Sequence, residues 1–212
     1  MRLLELFKGT GSVGKVAEKK GWTVVSVDID EKANPTICIN IMEWNYEAYE
    51  GTFDYLWASP PCETFSVLQY PRKIRNSKTA EPLTEKAVVG TRILHRTLDI
   101  IKYFLEKNPK MKWCMENPRG MMRQDARVLP LHRETTTYAS YGDTKYKPTD
   151  FWSNYELGLN PVRGMKFYPH ITARVANMSS MAQKYCIPPK LIEAIFKYLN
   201  RKKVIPSFVY TP

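Results

Sequence analysis

The chain has 212 residues, 43% of them hydrophobic and 25% charged, which fits one soluble globular domain with its own core. No apolar run approaches the roughly 18 to 20 residues that span a bilayer, and the apolar start at residues 1–7 is too short for a signal peptide, so we expect an intracellular, cytoplasmic protein without membrane contact. The formal net charge of +11 favours a polyanionic partner, above all nucleic acid.

The first part of the chain has the pattern of a β-α-β unit. Residues 2–7 predict a buried strand, and residues 13–20 predict a helix for which Gly21 is a suitable C-terminal cap. Residues 23–27 are mostly β-branched and apolar, as expected for a parallel strand that is covered on both faces. Such a unit predicts ligand binding at the carboxyl ends of its strands.

The pattern beyond this unit predicts an α/β domain with a mostly parallel sheet. Further strands are predicted, the last two of them antiparallel, at residues 37–41, 53–58, 112–115, 135–141 and 150–154. A long basic loop is predicted over residues 68–86, and helices over residues 84–107 and from 188 to about 203. The whole of residues 1–212 is predicted to form a single domain.

Two signals follow the first two strands. Gly9, Gly11 and Gly14 complete a GxGxxG pattern in which glycine lets a ligand approach the backbone closely. On its own this pattern also occurs in tight turns and dinucleotide sites. Asp28 ends the second strand, where an acidic side chain can accept hydrogen bonds from the hydroxyls of a ribose. The alternative for Asp28 is a solvated turn residue.

The most specific signal is the segment Ser59–Ser66, which reads SPPCETFS. Two prolines at the end of a strand place Cys62 on a rigid turn facing solvent, where it is poorly placed to be a core residue. A thiolate is a strong nucleophile once helix N-termini or basic groups lower its pKa. The other cysteines are expected to be small buried residues, because no two cysteines form a CxxC pair and histidines are scarce. We therefore expect no disulfide framework and no metal.

A fourth signal, Glu116-Asn117-Pro118, also ends a predicted strand. It should therefore open at the same edge of the sheet as the cysteine. A partly desolvated carboxylic acid could protonate or hydrogen-bond a ring nitrogen of a substrate. The alternative is that Asn117 caps the start of a helix.

Together these motifs resemble the DNA cytosine-5 methyltransferases, in the compact form met in viruses and phages. The resemblance implies a Rossmann-like methyltransferase fold, with helices on both faces of the sheet, and S-adenosylmethionine as cofactor. The catalytic residues that it implies are Cys62, Glu116 and Asn117. The cofactor-binding residues that it implies are Phe7, Gly9, Thr10, Gly11, Asp28, Ile29, Asn40 and Pro60.

The family resemblance is looser in the second half of the chain. Two target-contacting arginines of the family would be lysines here, and the glycine-asparagine pair of the last motif is absent. Only residues 156–177 are available as a minimal target-recognition segment, so a partner chain could supply recognition. The residues expected to contact nucleic acid are Ser66, Arg72, Lys73, Arg75, Lys145 and Lys147.

The resemblance implies that Cys62 adds to carbon 6 of a cytosine in DNA while Glu116 holds ring nitrogen 3. The base must be flipped out of the helix for this chemistry. One alternative is the same reaction on RNA or on a free pyrimidine nucleotide. Another is a degenerate, non-catalytic methyltransferase fold that binds nucleic acid. A methyltransferase acting on an amino group is disfavoured, because that class has an aromatic residue where Cys62 stands.

Overall fold

A computed structural model describes residues 1–49, 51–144, 146–160, 185–199 and 205. The α-helices that it describes in full are α1 (Ser12–Lys19), α2 (Glu85–Lys107) and α3 (Pro189–Lys197). None of these helices combines the length and the apolar character needed to cross a membrane. The strands are β1 (Arg2–Leu6), β2 (Thr23–Asp28), β3 (Ile37–Cys38), β4 (Tyr55–Ala58), β5 (Lys112–Pro118), β6 (Arg133–Thr137) and β7 (Pro148–Ser153).

The described strands form one seven-stranded sheet in the order β3-β2-β1-β4-β5-β7-β6. Strands β1 to β5 pair in parallel, whereas β7 is antiparallel to both β5 and β6. This arrangement confirms the predicted mostly parallel sheet and its antiparallel end. The central strands β1 and β4 are buried at every residue except Arg2, in keeping with their continuous apolar sequence.

Helices cover both faces of the sheet, as the predicted fold class requires. Helix α2 packs on one face through Leu94, Leu98 and Ile101, which share a core with Leu56 and Trp113. Helices α1 and α3 cover the opposite face. Their core contains Val16, Ile192, Phe196, Leu3 and Tyr55.

Local capping explains where the helices begin and end. Gly21 has a φ of 74°, and the amides of Gly21 and Trp22 donate to the carbonyls of Glu18 and Ala17. These two bonds form a Schellman motif, which ends α1 as predicted. Helix α2 begins one residue later than predicted, because Thr84 serves as its N-cap and accepts a hydrogen bond from the Ala87 amide at 3.3 Å.

Two predicted strands end three or four residues earlier in the structure. The strand predicted over residues 37–41 ends at Cys38, because Asn40 accepts the Met42 amide through its side chain at 3.0 Å and turns the chain. The strand predicted over 135–141 ends at Thr137 and continues as the 3-10 turn Tyr138–Tyr141. This turn places Tyr138 at the edge of the sheet where the parallel strands end.

Candidate active site

A cavity of about 250 Å³ opens at the carboxyl edge of the parallel strands. Its wall is built from the turns that follow β1, β2, β4 and β5, since these ends meet at one edge. The sequence-predicted residues that line it are Phe7, Gly9, Thr10, Asp28, Ile29, Pro60, Cys62, Glu116, Asn117 and Lys147. Residues from five separate segments of the chain, the fifth being the segment of Lys147 before β7, are therefore brought into one site.

The turn after β1 has a left-handed backbone conformation at three of its residues. Phe7, Gly9 and Gly11 have φ values of 61°, 49° and 66°, which are unfavourable for residues other than glycine. The Gly9 amide donates to Oδ2 of Asp28 at 2.8 Å, and the Asp30 amide donates to Oδ1 at 2.9 Å. Asp28 thus ties the glycine turn to the end of β2, and its carboxylate keeps lone pairs for a ligand.

Glu5 is a cavity residue that the sequence prediction missed. It is 2% exposed, and its Oε2 has no hydrogen-bond partner among the described residues. Burial raises the pKa of this carboxyl to about 7. The signal was available, because Glu5 is an acidic residue inside an otherwise apolar strand.

These groups fit the cofactor that the sequence resemblance implies. Glu5 offers an unsatisfied buried acceptor for an ammonium group, and Asp28 offers acceptors for hydroxyl groups. Ile29 also lines the cavity although its side chain is 68% exposed, so it provides apolar contact for a flat ring. The donor and acceptor set matches a nucleoside that carries an amino acid, as S-adenosylmethionine does.

Cys62 lies on the turn after β4 and heads a short helical segment. The amides of Phe65 and Ser66 both donate to the carbonyl of Cys62 at 3.0 Å. Its side chain is partly buried, and burial raises the pKa of the thiol, while Lys147 lowers it and Glu116 raises it. The lowered pKa expected from the sequence is therefore not found, because desolvation outweighs the nearby ammonium.

Glu116 lies beside the cysteine at the end of β5 and is 6% exposed. The Tyr138 hydroxyl donates to its Oε1 at 3.2 Å. Burial raises the pKa of Glu116, against the lowering effect of Lys147, Tyr138 and Ser59. The carboxyl is thus shifted toward its protonated form, which can donate a hydrogen bond.

Asn117 fixes the turn that carries the cysteine and does not cap a helix. It lies within β5, and its Nδ2 donates to the carbonyl of Pro60 at 2.9 Å. Close by, the Met121 amide donates to the carbonyl of Phe65 at 2.7 Å. A Cβ added at Gly120 would lie 2.3 Å from that carbonyl oxygen, so the approach of the two turns requires glycine there.

The predicted nucleic-acid contact of Arg75 is wrong, because its guanidinium is inside the protein. Arg75 is 3% exposed, and its carbon Cζ lies 3.8 Å from the centre of the Phe65 ring. Its nitrogens donate to five acceptors at 2.7 to 3.0 Å. They are the carbonyl and hydroxyl of Thr64, the carbonyls of Ala80 and Ala87, and the hydroxyl of Thr91.

The remaining predicted residues lie outside the cavity wall or outside the described residues. Gly11 caps the start of α1, and the carbonyl of the Asn40 side chain, predicted to bind the cofactor, accepts the Met42 amide. Ser66 pairs with Gly120 in a β-bridge, and Arg72 and Lys73 are exposed on the following turn. Lys145 and residues 161–177 of the predicted recognition segment are not among the described residues.

All four cysteines are among the described residues, and no disulfide bond joins any two of them. Cys114 is the small buried residue that was expected. Cys38 is exposed and Cys186 is partly buried, so the expectation of burial is wrong for Cys38.

Comparison with known proteins agrees with the methyltransferase family that the residues of the site suggest. No family model matches the chain. A probable DNA (cytosine-5)-methyltransferase of Frog virus 3 (isolate Goorha) is 35% identical over 162 residues, which are 74% of this chain and 72% of the viral protein.

Two solved structures are similar in part. The S. pombe Dnmt2 methyltransferase has a TM-score of 0.48 at 14% identity. The aligned part covers 76% of this chain and 52% of the S. pombe chain. Human methyltransferase-like protein 13 in complex with SAH has a TM-score of 0.39 at 12% identity, over 100% of this chain and 86% of that one. More than a third of the aligned residues are identical to those of the viral protein, over nearly three quarters of both sequences. The chain therefore belongs to the DNA cytosine-5 methyltransferase family.

Proposed function

We propose that this methyltransferase modifies carbon 5 of a cytosine in DNA through a covalent adduct with Cys62, on a base flipped out of the helix. The observation that carries the proposal is the meeting of Cys62, Glu116 and Lys147 in the cavity that also contains the glycine turn and Asp28. A nucleophile, an acid and a cation thus lie next to the expected cofactor-binding groups.

The family's cofactor is S-adenosylmethionine, which supplies an electrophilic methyl group when it is bound. The residues proposed to hold it are those of the glycine turn, together with Glu5, Asp28 and Ile29. The two carboxylates would accept hydrogen bonds from the polar groups of such a ligand. The turn keeps side chains away from it, since Gly9 carries none.

Each residue of the catalytic pair has a defined task in this mechanism. The Cys62 thiolate adds to carbon 6 of the cytosine, which moves electron density onto carbon 5 and ring nitrogen 3. Glu116, with its raised pKa, donates a hydrogen bond or a proton to that nitrogen. Once carbon 5 carries the methyl group, loss of its proton expels the thiolate and restores the ring.

Lys147 is proposed to favour the thiolate in this sequence. Its ammonium lowers the pKa of Cys62 and the pKa of Glu116, and it also lies 4.9 Å from the centre of the Tyr138 ring. An oxygen of the base that gains negative charge during the addition would also be stabilised by this cation.

The test is capture of the adduct on oligonucleotides that contain 5-fluorocytosine. Fluorine cannot leave as a proton, so we expect a complex that survives boiling in detergent and that requires both S-adenosylmethionine and Cys62. Cys62→Ser should abolish it, because a serine hydroxyl is much less nucleophilic near neutral pH. The exposed Cys38→Ser is the matched control.

The acceptor is decided by running duplex DNA, single-stranded DNA, tRNA and free cytidine nucleotide in parallel. The proposal predicts an adduct on DNA. An adduct on RNA or on the free nucleotide alone would replace DNA as the acceptor. Full methyl transfer by Cys62→Ser would show that the reaction is not covalent.

A further inference from the structure

Three arginines lie close together at the β7–β6 end of the sheet, and one of them binds a buried carboxylate. Asp150 of β7 is fully buried, and its two oxygens accept hydrogen bonds from Arg123 at 2.5 and 3.0 Å. Thr135 donates to the same carboxylate at 2.7 Å. Asp150 is thus satisfied by Arg123 and Thr135.

The other two arginines of the group have no carboxylate of their own among the described residues. In the β6–β7 register Thr135 faces Asp150 and Arg133 faces Trp152, so Arg133 projects on the same face as Asp150. Burial lowers the pKa of Arg133, and Arg123 and Arg119 lower it further, against the attraction of Asp150. The three guanidinium groups therefore repel one another around a single negative charge.

The group of three arginines begins, at Arg119, beside the mouth of the cavity. Arg119 follows Pro118, which lines the cavity, and its amide donates to the carbonyl of Pro148 at 2.9 Å. Pro148 in turn follows Lys147, another cavity residue. Arg119 and Arg133 are exposed, so the group offers positive charge to solvent outward from the site.

We propose that Arg119, Arg123 and Arg133, the arginine patch, bind the phosphates of the nucleic-acid strand that delivers its base to the cavity. This inference rests on the proposed function, in which the acceptor base is part of a polynucleotide. Three guanidinium groups against one carboxylate leave two positive charges uncompensated. A guanidinium fork matches the geometry of phosphate oxygens.

One residue of the basic surface that the sequence favoured is not available to nucleic acid. Arg75 of the predicted basic loop donates all of its hydrogen bonds inside the protein. An acidic protein could in principle meet the same charges, but a strand that places one nucleotide beside Cys62 must have its neighbouring phosphates near the cavity mouth. Arg119 lies at that position.

The experiment compares two double variants that lose the same charge. Arg119→Gln with Arg133→Gln removes the exposed half of the patch and leaves Arg123 in place to satisfy Asp150. Lys19→Gln with Lys20→Gln removes two exposed charges at the far end of α1. Binding of a fluorescent 20-nucleotide duplex is measured at several salt concentrations, with single-stranded RNA of the same sequence as a second arm.

We expect the arginine variant to reduce the slope of log affinity against log salt by about two units, roughly one for each phosphate left without its guanidinium. Its KM for DNA should rise at least tenfold in low salt, while kcat at saturating DNA and the affinity for S-adenosylmethionine stay unchanged. The lysine variant should keep the wild-type slope and KM. Equal slopes for the two variants would overturn the proposal.

The measurements distinguish a failure of the arginine patch from a failure of the proposed methylation reaction. A reduced slope without methyl transfer to DNA or RNA would support the patch and contradict the proposed reaction. Methyl transfer to DNA with an unchanged slope would support the reaction and contradict the patch. An effect confined to the RNA arm would keep the patch and identify RNA as its ligand.

Discussion

The pKa values of Cys62 and Glu116 are both raised by burial, and this has opposite consequences for the two roles. A raised pKa removes the thiolate that must attack. The same direction of shift preserves the carboxylic acid that must donate. The rate of addition should therefore rise with pH as Cys62 ionises and fall as Glu116 loses its proton, with Lys147 acting on both groups.

Lys147→Met should raise the pKa of Cys62, because the Lys147 ammonium is the group that lowers it. Less thiolate would then be present at a given pH near neutrality. We expect the midpoint of the pH profile for alkylation of Cys62 by iodoacetamide, followed by peptide mass spectrometry, to move to higher pH. Lys147→Arg keeps the charge and should keep the midpoint. A midpoint that is the same in Lys147→Met would mean that the ammonium does not act on the thiol.

Glu5 should make the ligand-free protein less stable as pH rises. Its pKa is 4.5 in the unfolded chain and about 7 in the folded protein, so the folded state holds the proton longer. The free energy of unfolding then falls between pH 4.5 and 7, by about 3 kcal/mol in total. Glu5→Gln should lack this loss when urea unfolding is compared at pH 5 and pH 8. The exposed Glu193→Gln should follow the wild type, and a parallel pH dependence in Glu5→Gln would contradict the prediction.

At the scale of elements, one side chain joins the turn of the nucleophile to α2. Arg75 bonds Thr64 on the turn and Ala87 and Thr91 on the first turns of the helix. Asn117 and Gly120 hold the other side of the same turn to the end of β5. Cys62 is thus positioned by two elements that are separate in sequence, and its orientation depends on how they pack.

Arg75→Met should destabilise the protein by about 3 kcal/mol or more, because several buried acceptors would lose their donors at about 1 to 3 kcal/mol each. Arg72→Met, on the exposed part of the same segment, should change stability by less than about 0.5 kcal/mol. Urea denaturation measures both. An equal cost for the two variants would show that Arg75 is not needed in its buried position.

For the whole molecule, the ends of β1 and β4 could be predicted from sequence because local chemistry marks them. Pro60-Pro61 and the glycine turn interrupt apolar runs at the places where β4 and β1 end. The residues that follow these ends line one cavity. The fold class was therefore accessible from pattern alone.

The errors concern residues whose role depends on distant partners. A count of charges treats Arg75 as solvated. Its hydrogen-bond partners are spread over residues 64–91, and they come within reach of Arg75 only when α2 packs against the turn of Cys62. The bond from the Met42 amide to the Asn40 side chain was likewise not foreseen, since it forms only where β3 ends. The arginine patch was missed because Arg133 is separated in sequence from Arg119 and Arg123, and its strand β6 is brought next to β5 only through the antiparallel strand β7.

Cofactor binding should stabilise the whole protein, since a ligand that binds only the folded state adds about 2.7 kcal/mol at 100 times its Kd. Asp28→Ala should weaken binding of S-adenosylmethionine by about 1.5 to 3 kcal/mol, because charge-assisted hydrogen bonds to the ligand would be removed. Asp30→Ala, an adjacent carboxylate outside the cavity wall, should bind nearly as well. Calorimetry with the three proteins measures this, and equal affinities would remove Asp28 from the site.

The hydroxyl of Ser12, at the first residue of α1, accepts the amide of Ile187 at 3.2 Å across 175 residues of chain. Ile187 lines the cavity and leads into α3, which packs against α1. A ribosome adding about 5 to 20 residues per second needs roughly 10 to 35 s to make that stretch. During translation the glycine turn and the apolar side of α1 therefore stay uncovered until the residues from Ile187 onward have been made.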